Sequence, residues 1–170
     1  MKLDGQAPTE RMMMTEILTI GHSNHDIGAF LAILKKHGID VLVDIRSDPY
    51  SRYATQFNKA EFQHAVTQAG IQYLYSGAQL GGKPRDVSLY TASGKPDYDK
   101  LASTDEFQAQ LRRLVEIAAT KRLVIMCSEA DPMSCHRERI IAPVLRSWGV
   151  EVRHILPDGT LESAQQFGLF

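Results

Sequence analysis

Short apolar runs alternate with longer amphipathic stretches along most of the chain. The apolar runs are of strand length, are rich in β-branched residues and end at glycine or polar residues, a pattern typical of strands buried on both faces. They predict five strands, at 17–20, 41–45, 71–75, 123–127 and 150–155.

Between these strands the apolar positions follow a helical period. From Ile27 onward, apolar residues recur at i, i+3, i+4 and i+7, which places them on one face of a helix at 26–37. Gly38 follows, as expected for the residue just past a helix end.

Capping residues place the remaining helices. Asn58 and Ser103 are each followed three residues later by glutamate, and they predict helices at 58–69 and 103–120. Ser134 is expected to cap a last helix at 134–148.

Three segments interrupt this alternation. Pro143 is expected to kink or split the last helix, because proline lacks a backbone N–H. The connection 76–97 has no clear period and is long enough to indicate a functional role. Residues 1–15 are expected to form a flexible tail.

The element order predicts the fold class. Strands that alternate with helices form right-handed crossover units and a parallel sheet. We therefore expect an α/β fold over 16–170: a single three-layer domain with about five mostly parallel strands and helices on both faces.

Composition and charge narrow the class further. The chain has 170 residues, 44% of them hydrophobic and 23% charged, which is ordinary for a globular domain. No apolar run approaches the ~18 residues of a membrane span, and we expect no membrane partner. The first residues lack the apolar core of a secretion signal, so we expect a cytoplasmic protein with two reduced cysteines. The oligomeric state stays open.

The residues able to do chemistry follow the strands. Ligands of such folds bind at the carboxyl ends of the strands, so these residues are expected to share one site. They are His22 and Ser23 after the first strand, Asp44, Arg46 and Arg52 around the end of the second, Lys83 after the third, and Cys127, Glu129, Cys135, His136 and Arg137 at and after the fourth.

One hypothesis assigns these residues to an enzyme or ligand-processing domain that takes an anionic or nucleotide-like small molecule. Cys135 is the candidate nucleophile, expected in the first turn of a helix, where N–H groups lower a thiol pKa. His22 or His136 would move protons, and Asp44 would orient a histidine or an arginine. The candidate ligand-binding residues are Ser23, Arg46, Arg52, Lys83, Glu129 and Arg137. No cofactor is specified by the pattern.

Phosphatase chemistry is discounted at this stage. Ten positions separate Cys127 from Arg137, too many for a Cys-x5-Arg phosphate cradle, and two positions separate Cys135 from Arg137, too few. Glu129 would also repel a phosphate.

Two alternative functions stay open. A net charge of −1 argues against a broad nucleic-acid surface, but aromatic and basic residues interleave at 47–53 and could stack on bases. Cys127, Cys135 and His136 could instead form a metal-binding or redox-sensing site, although their spacing is not a standard zinc pattern.

Several of these segments together resemble a known family. The segments are 19–23, 43–49 with 51–52, 80–82, 126–132, 135–137 and 154–155. They resemble the family catalogued as domain of unknown function 488, across about 18–156, with Ser128 at a position where an alanine is expected. The resemblance implies a single α/β domain with a parallel sheet. It assigns no activity, cofactor or residue role.

Overall fold

The computed structural model describes residues 15–162. Its centre is a sheet of five strands, all parallel, in the spatial order β3-β2-β4-β1-β5. The strands are β1 (Glu16–Gly21), β2 (Val41–Asp44), β3 (Gln72–Tyr75), β4 (Leu123–Cys127) and β5 (Glu151–Ile155). The predicted α/β class and parallel sheet are confirmed.

Helices cover both faces of this sheet. Within the described part they are α1 (Ile27–Lys36), α2 (Lys59–Gln68), α3 (Gly77–Leu80), α4 (Tyr98–Ala102), α5 (Asp105–Ala118) and α6 (Ala142–Ser147). Three short 3-10 turns (Thr55–Phe57, Val87–Leu89, Pro132–Ser134) and a π-helical turn (Arg137–Ile141) complete the connections. None of the helices within 15–162 is both long and apolar enough to cross a membrane.

Strand alternation divides the core into two clusters. Leu123, Ile125 and Cys127 of β4 face a cluster that includes residues of α5 and α6. Val124 and Met126 face the opposite cluster, which includes residues of α1 and α2. Burial on both faces explains why the β4 segment reads as a continuous apolar run.

The connections around β4 open a crevice at its carboxyl end. The chain leaves β1 and β2 toward α1 and α2 on one face, and leaves β4 toward α6 on the other. Strand β4 lies between β1 and β2, so its connection diverges from those of both neighbours. Such a divergence is where open α/β sheets place ligands.

The three predicted helix caps are wrong. Ser134 ends the 3-10 turn Pro132–Ser134, and its hydroxyl donates to Asp131. Asn58 precedes α2, but its side chain accepts a hydrogen bond from the Ser51 backbone N–H and makes no cap. Thr104, not Ser103, caps α5 by accepting from the N–H of Phe107. The Ser51 N–H thus occupies the Asn58 side chain, and Thr104 accepts the capping hydrogen bond in place of Ser103.

The segment predicted as one helix at 134–148 is divided. Cys135 has extended backbone angles between the 3-10 turn and the π-helical turn, so it is not inside a helix. The change from π to α geometry comes at Ala142, directly before Pro143. Proline in the first turn of α6 needs no intrahelical N–H bond, which agrees with the expected split.

Two other predictions concern irregular segments. The connection 76–97 is partly ordered, since it contains α3, the turn Val87–Leu89 and an antiparallel bridge between Tyr90 and Pro96. Of the predicted tail, residues 1–14 lie outside the described residues. The extent of the single domain predicted for 16–170 stays a prediction.

Candidate functional site

The two cysteines meet at the carboxyl end of β4. Cys127 is the last residue of β4 and pairs in register with Gly21 of β1. After the 3-10 turn the chain returns to this end of β4, which places Cys135 Sγ 2.6 Å from Cys127 Sγ. Both thiols are free and buried. A β-carbon on Gly21 would lie 1.6 Å from the Glu129 carbonyl oxygen, so this close return of the chain requires glycine.

Arg137 donates two hydrogen bonds to the Cys135 sulfur. Its backbone N–H and its Nε each donate to Cys135 Sγ at 3.4 Å. Its other guanidinium nitrogens donate to the Glu129 carbonyl oxygen at 2.6 Å and to Thr19 Oγ1 at 3.2 Å. The side chain is fully buried. Arg137 was predicted to bind ligand. Three of its guanidinium N–H groups are directed at protein acceptors, and its ligand-binding role stays a prediction.

The surroundings of the two thiols separate their acidities. The hydrogen bond from Cys127 lowers the pKa of Cys135, and His136 and Arg137 lower it further against the opposing effect of burial. Burial raises the pKa of Cys127 well above its ordinary value, and its bond to Cys135 adds to this. These neighbours, and not a helix N-terminus, lower the pKa of Cys135, and its role as the nucleophile stays a prediction.

Asp44 anchors a second buried group beside the cysteines. Its two carboxylate oxygens accept from Nε and Nη2 of Arg46 at 2.9 and 2.8 Å. The Tyr73 hydroxyl donates to it at 2.6 Å, and burial with this carboxylate raises the tyrosine pKa. The arginine that Asp44 holds is therefore Arg46. Asp44 is fully buried and does not line the cavity, so it positions Arg46 rather than acting on a ligand.

His22 completes this group in a neutral state. Nδ1 lies 2.7 Å from the Ser23 carbonyl oxygen, which can only accept, so Nδ1 carries the proton. Nε2 then accepts from Arg46 Nη1 at 3.3 Å. The ring stacks on Phe57, and burial lowers its pKa to about 4. Both ring nitrogens are engaged within the protein, and the proton-transfer role of His22 stays a prediction.

A cavity of about 180 Å³ opens beside the cysteines. The predicted residues that line it are Arg46, Lys83, Cys127, Glu129, Cys135 and His136. His136 Nδ1 lies 3.6 Å from Cys135 Sγ, within reach of a proton transfer at the sulfur. Cationic, acidic and thiol groups from β2, β4 and the segment after α3 therefore face one space.

Ser23 and Arg52 do not line this cavity. Ser23 turns away with a φ of 49°, and its backbone N–H donates to the Ser128 carbonyl oxygen. Arg52 is exposed in the loop that precedes Thr55–Phe57. Both residues follow the ends of the expected strands. Ser23 stays beside the loop after β4 through its bond to Ser128, but it does not line the cavity.

Sequence reasoning missed a polar chain behind Arg137. Thr19 Oγ1 accepts from Arg137 Nη1, so the hydroxyl proton is left to donate to Nδ1 of His154 at 2.5 Å. His154 Nε2–H then donates to Glu138 at 2.6 Å, and Arg146 pairs with the same carboxylate. Thr19 and His154 are adjacent in the β1–β5 register and fully buried. A polar residue in the middle of each apolar strand was the available signal.

A second, larger cavity adjoins the first and was also missed. Its volume is about 370 Å³, and it shares Ser47 and Lys83 with the cysteine cavity. Tyr75, Leu89, Leu101 and Arg85 are among its lining residues. Residues of the connection 76–97 thus line both cavities.

The predicted metal set is placed differently from the expectation. Ligand atoms of Cys127, Glu129 and Cys135 lie within 4.8 Å of one another, a group that includes Glu129 in place of His136. A tetrahedral zinc ion with bonds of ~2.3 Å separates two sulfur ligands by about 3.7 Å. The sulfurs at 2.6 Å would have to move apart, and the buried Arg137 cation opposes a metal ion beside Cys135.

The fold and the site define a three-layer α/β protein with a cysteine-containing cavity at the carboxyl end of the central strand. The family model described as "Domain of unknown function DUF488" matches residues 26–145. The chain therefore belongs to the DUF488 family.

Two solved structures of a DUF442 protein from Shewanella putrefaciens CN-32, described as a candidate phosphatase, are similar to the chain. One is 16% identical with a TM-score of 0.43, covering 86% of this chain and 75% of that chain. The other is 21% identical with a TM-score of 0.39, covering 74% of this chain and 60% of that chain. No curated protein matches the chain.

Proposed function

We propose that the protein is a thiol-dependent enzyme that acts on an anionic small molecule, with Cys135 as the nucleophile. The observation that carries the proposal is a sulfur held by two donors of Arg137 while it faces a cavity that also contains Arg46 and Lys83. A thiolate is the reactive form of cysteine, and fixed donors beside it favour that form.

Arg46 is suited to hold an anionic group. A guanidinium has five N–H donors. Asp44 accepts one from Nε and one from Nη2, and His22 accepts one from Nη1. Two N–H groups stay available, in an orientation fixed by the buried carboxylate. Such a fork matches the oxygens of a carboxylate or a phosphate. The exposed Lys83 ammonium adds a second, movable cation on the same cavity.

His136 is the candidate proton carrier for this reaction. Its imidazole lines the cavity next to Cys135 and could donate a proton to a leaving group. Cys135 Sγ would form a bond to the electrophilic atom while the leaving group departs with the bonding electron pair and this proton. Glu129 disfavours an anion directly beside it, so the anionic group would lie toward Arg46 and Lys83.

The two cavities indicate the size of the substrate. The cysteine cavity of about 180 Å³ is smaller than typical ligand pockets of ~300–1,000 Å³, whereas the adjoining cavity of about 370 Å³ falls within that range. The anionic, reacting part would occupy the first cavity and the rest of the molecule the second, along Tyr75 and Leu89. A nucleotide-like molecule has this two-part form.

Thermal-shift titration tests the anion site. Inorganic phosphate and adenosine 5′-monophosphate should each raise the midpoint of unfolding, with the larger rise from the nucleotide, and adenosine alone should raise it least. Lys83→Met should reduce the effect. Lys95→Met is the matched control, because Lys95 is exposed in the same connection but lines neither cavity. Equal responses from the two variants, or no response from the unaltered protein, would contradict the proposal.

A nucleic-acid role is the second candidate, and exposed aromatic residues favour it. Tyr53 is 92% exposed and Tyr50 is 64% exposed, with the exposed Arg52 between them. Bases of a single strand could stack on such rings. Binding of a labelled single-stranded oligonucleotide that weakens steeply with salt, and that Tyr53→Ala reduces, would support this role. The expected cytoplasmic location stays a prediction.

A further inference from the structure

The two cysteine sulfurs are placed to react with each other as well as with a substrate. They lie 2.6 Å apart, both line the same cavity, and the chain between them is only seven residues long. We propose that Cys127 and Cys135 form an oxidisable dithiol, in which a hydroperoxide oxidises Cys135 and Cys127 then closes a disulfide. This inference goes beyond the proposed function and does not require an anionic substrate.

The structure gives the two residues different parts in this reaction. Arg137 directs two N–H donors at Cys135 Sγ and its other two hydrogen bonds at Thr19 and Glu129, so the negative charge is stabilised on Cys135. Cys127 is fixed in β4 between its strand neighbours, with its sulfur against that of Cys135. Cys135 is therefore the thiolate that attacks the peroxide, and Cys127 is the resolving thiol.

The two steps balance in atoms and electrons. The Cys135 thiolate attacks one oxygen of the hydroperoxide, the O–O bond breaks, and the other oxygen leaves as an alkoxide or hydroxide that takes up a proton. Cys127 sulfur then attacks the sulfenic acid sulfur, the S–O bond breaks, and the departing hydroxide takes the Cys127 proton as water. Two thiols lose two electrons in total, and the hydroperoxide is reduced to an alcohol or water.

The disulfide would also control the proposed enzyme. It uses the Cys135 sulfur, so a protein oxidised in this way has no nucleophile until a reductant restores it. The pair could therefore sense peroxide whatever the substrate is. Loss of the disulfide with anion binding intact would remove only this inference, and loss of anion binding with the disulfide intact would remove only the proposed function.

Peptide mass analysis tests the inference on the unaltered protein. Reduced protein is treated with one equivalent of hydrogen peroxide, denatured in acid, alkylated with N-ethylmaleimide and digested with trypsin. Both cysteines fall in the tryptic peptide 123–137, since no lysine or arginine lies between them and Arg122 and Arg137 bound it. The expected product is this peptide without alkylation, lighter by two hydrogen atoms and restored by dithiothreitol. Oxygen added at Met126 or Met133 changes the mass in the opposite direction and is distinguishable.

Two variants assign the roles. Cys127→Ser should stop at the Cys135 sulfenic acid, which dimedone traps, and should proceed to sulfinic acid with excess peroxide. Cys135→Ser should react with peroxide at least tenfold more slowly than the unaltered protein, because the remaining thiol lacks the donors of Arg137. Sulfinic acid at Cys135 with a free Cys127 in the unaltered protein would overturn the inference. That result needs no variant, so a folding defect in a variant leaves the test intact.

Discussion

The guanidinium of Arg46 donates to an uncharged imidazole, since its Nη1 lies 3.3 Å from Nε2 of His22 and that nitrogen has no proton to give. His22 is only 5% exposed, and its ring is enclosed by Phe57 and the Ser23 carbonyl. A second proton on the ring would break the bond to Arg46 and place two cations together. The folded protein therefore requires neutral His22, and this requirement has a measurable consequence.

Protonation of His22 is expected to destabilise the fold in mild acid. Burial lowers the folded-state pKa to about 4, whereas an unfolded histidine titrates near ~6.5. Between these values the unfolded chain binds more protons, so the free energy of unfolding falls as pH decreases from about 6.5 to about 4, by ~3 kcal/mol for this group. Urea unfolding at several pH values in this window measures the slope.

His22→Gln should reduce that slope. Glutamine can donate to the Ser23 carbonyl oxygen and accept from Arg46 without taking up a proton. His64→Gln is the control, because His64 is exposed on α2. A slope that is the same in the unaltered protein and in His22→Gln would show that His22 is charged or exposed in the folded state.

Asp44→Asn is expected to be severely destabilising. It removes the carboxylate that holds Arg46, which is 6% exposed, and leaves that cation buried without its partner. Breaking a buried ion pair in this way typically costs about 3–5 kcal/mol. Glu16→Gln removes a partly exposed partner of Arg122 and Arg153 and should cost at most about 1 kcal/mol. Chemical unfolding of both variants gives the comparison, and equal losses would contradict the buried-pair interpretation.

Glu138 should stabilise the fold in its ionised form. Burial opposes ionisation, but the bonds from His154 and Arg146 outweigh it and lower the pKa of the carboxyl. The stabilisation by ionised Glu138 is therefore present above its unfolded-state pKa of ~4.3 and is lost as the pH falls through its lower folded-state pKa. Glu138→Gln should cost about 1.5–3 kcal/mol near neutral pH and progressively less in acid, as measured by urea unfolding. The exposed Glu116→Gln should show no such trend.

The order of apolar runs was sufficient to predict the sheet, because strands that are buried on both faces are apolar along most of their length. Strand β2 is apolar on both faces from Val41 to Val43 and polar only at Asp44, and β4 is apolar throughout. Parallel strands bring their carboxyl ends to one edge, so the residues after β2 and β4 could be expected near each other. Arg46, Cys127, Glu129, Cys135 and His136 do line one cavity.

The roles within the site depend on contacts that sequence position does not encode. Whether His22 faces a ligand or the protein is decided by Phe57, more than thirty residues further along the chain. The Thr19–His154 contact depends on the register between β1 and β5, which are separated by most of the domain. The low pKa of Cys135 depends on the return of the chain onto Cys127, which no helical period predicts.

Gly21→Ala tests the close return of the chain at β4. The added carbon would lie 1.6 Å from the Glu129 carbonyl oxygen, a backbone atom that cannot move alone, and 3.0 Å from the Arg137 guanidinium. We expect a loss of about 1–3 kcal/mol in unfolding free energy, together with slower alkylation of Cys135. Gly28→Ala is the control, since its new carbon would meet no backbone atom and only the capping carboxylate of Asp26, at 3.1 Å. Equal effects of the two substitutions would contradict the assigned packing.

The pH dependence of alkylation tests the unequal acidity of the two thiols. Because the Cys127 hydrogen bond and the neighbouring cations lower the pKa of Cys135, its rate with iodoacetamide should already be constant near pH 7 and fall only in acid. Cys127→Ala removes that hydrogen bond and raises the pKa of Cys135, so the fall should begin at a higher pH. At a pH below the midpoint, the rate should be about tenfold lower for each unit by which this pKa rises. Ser134→Ala is the matched control, since Ser134 lines the cavity but bonds to Asp131. A rate for the unaltered protein that still increases steadily from pH 7 to pH 9 would mean that Cys135 is an ordinary thiol, and the proposed nucleophile would be lost.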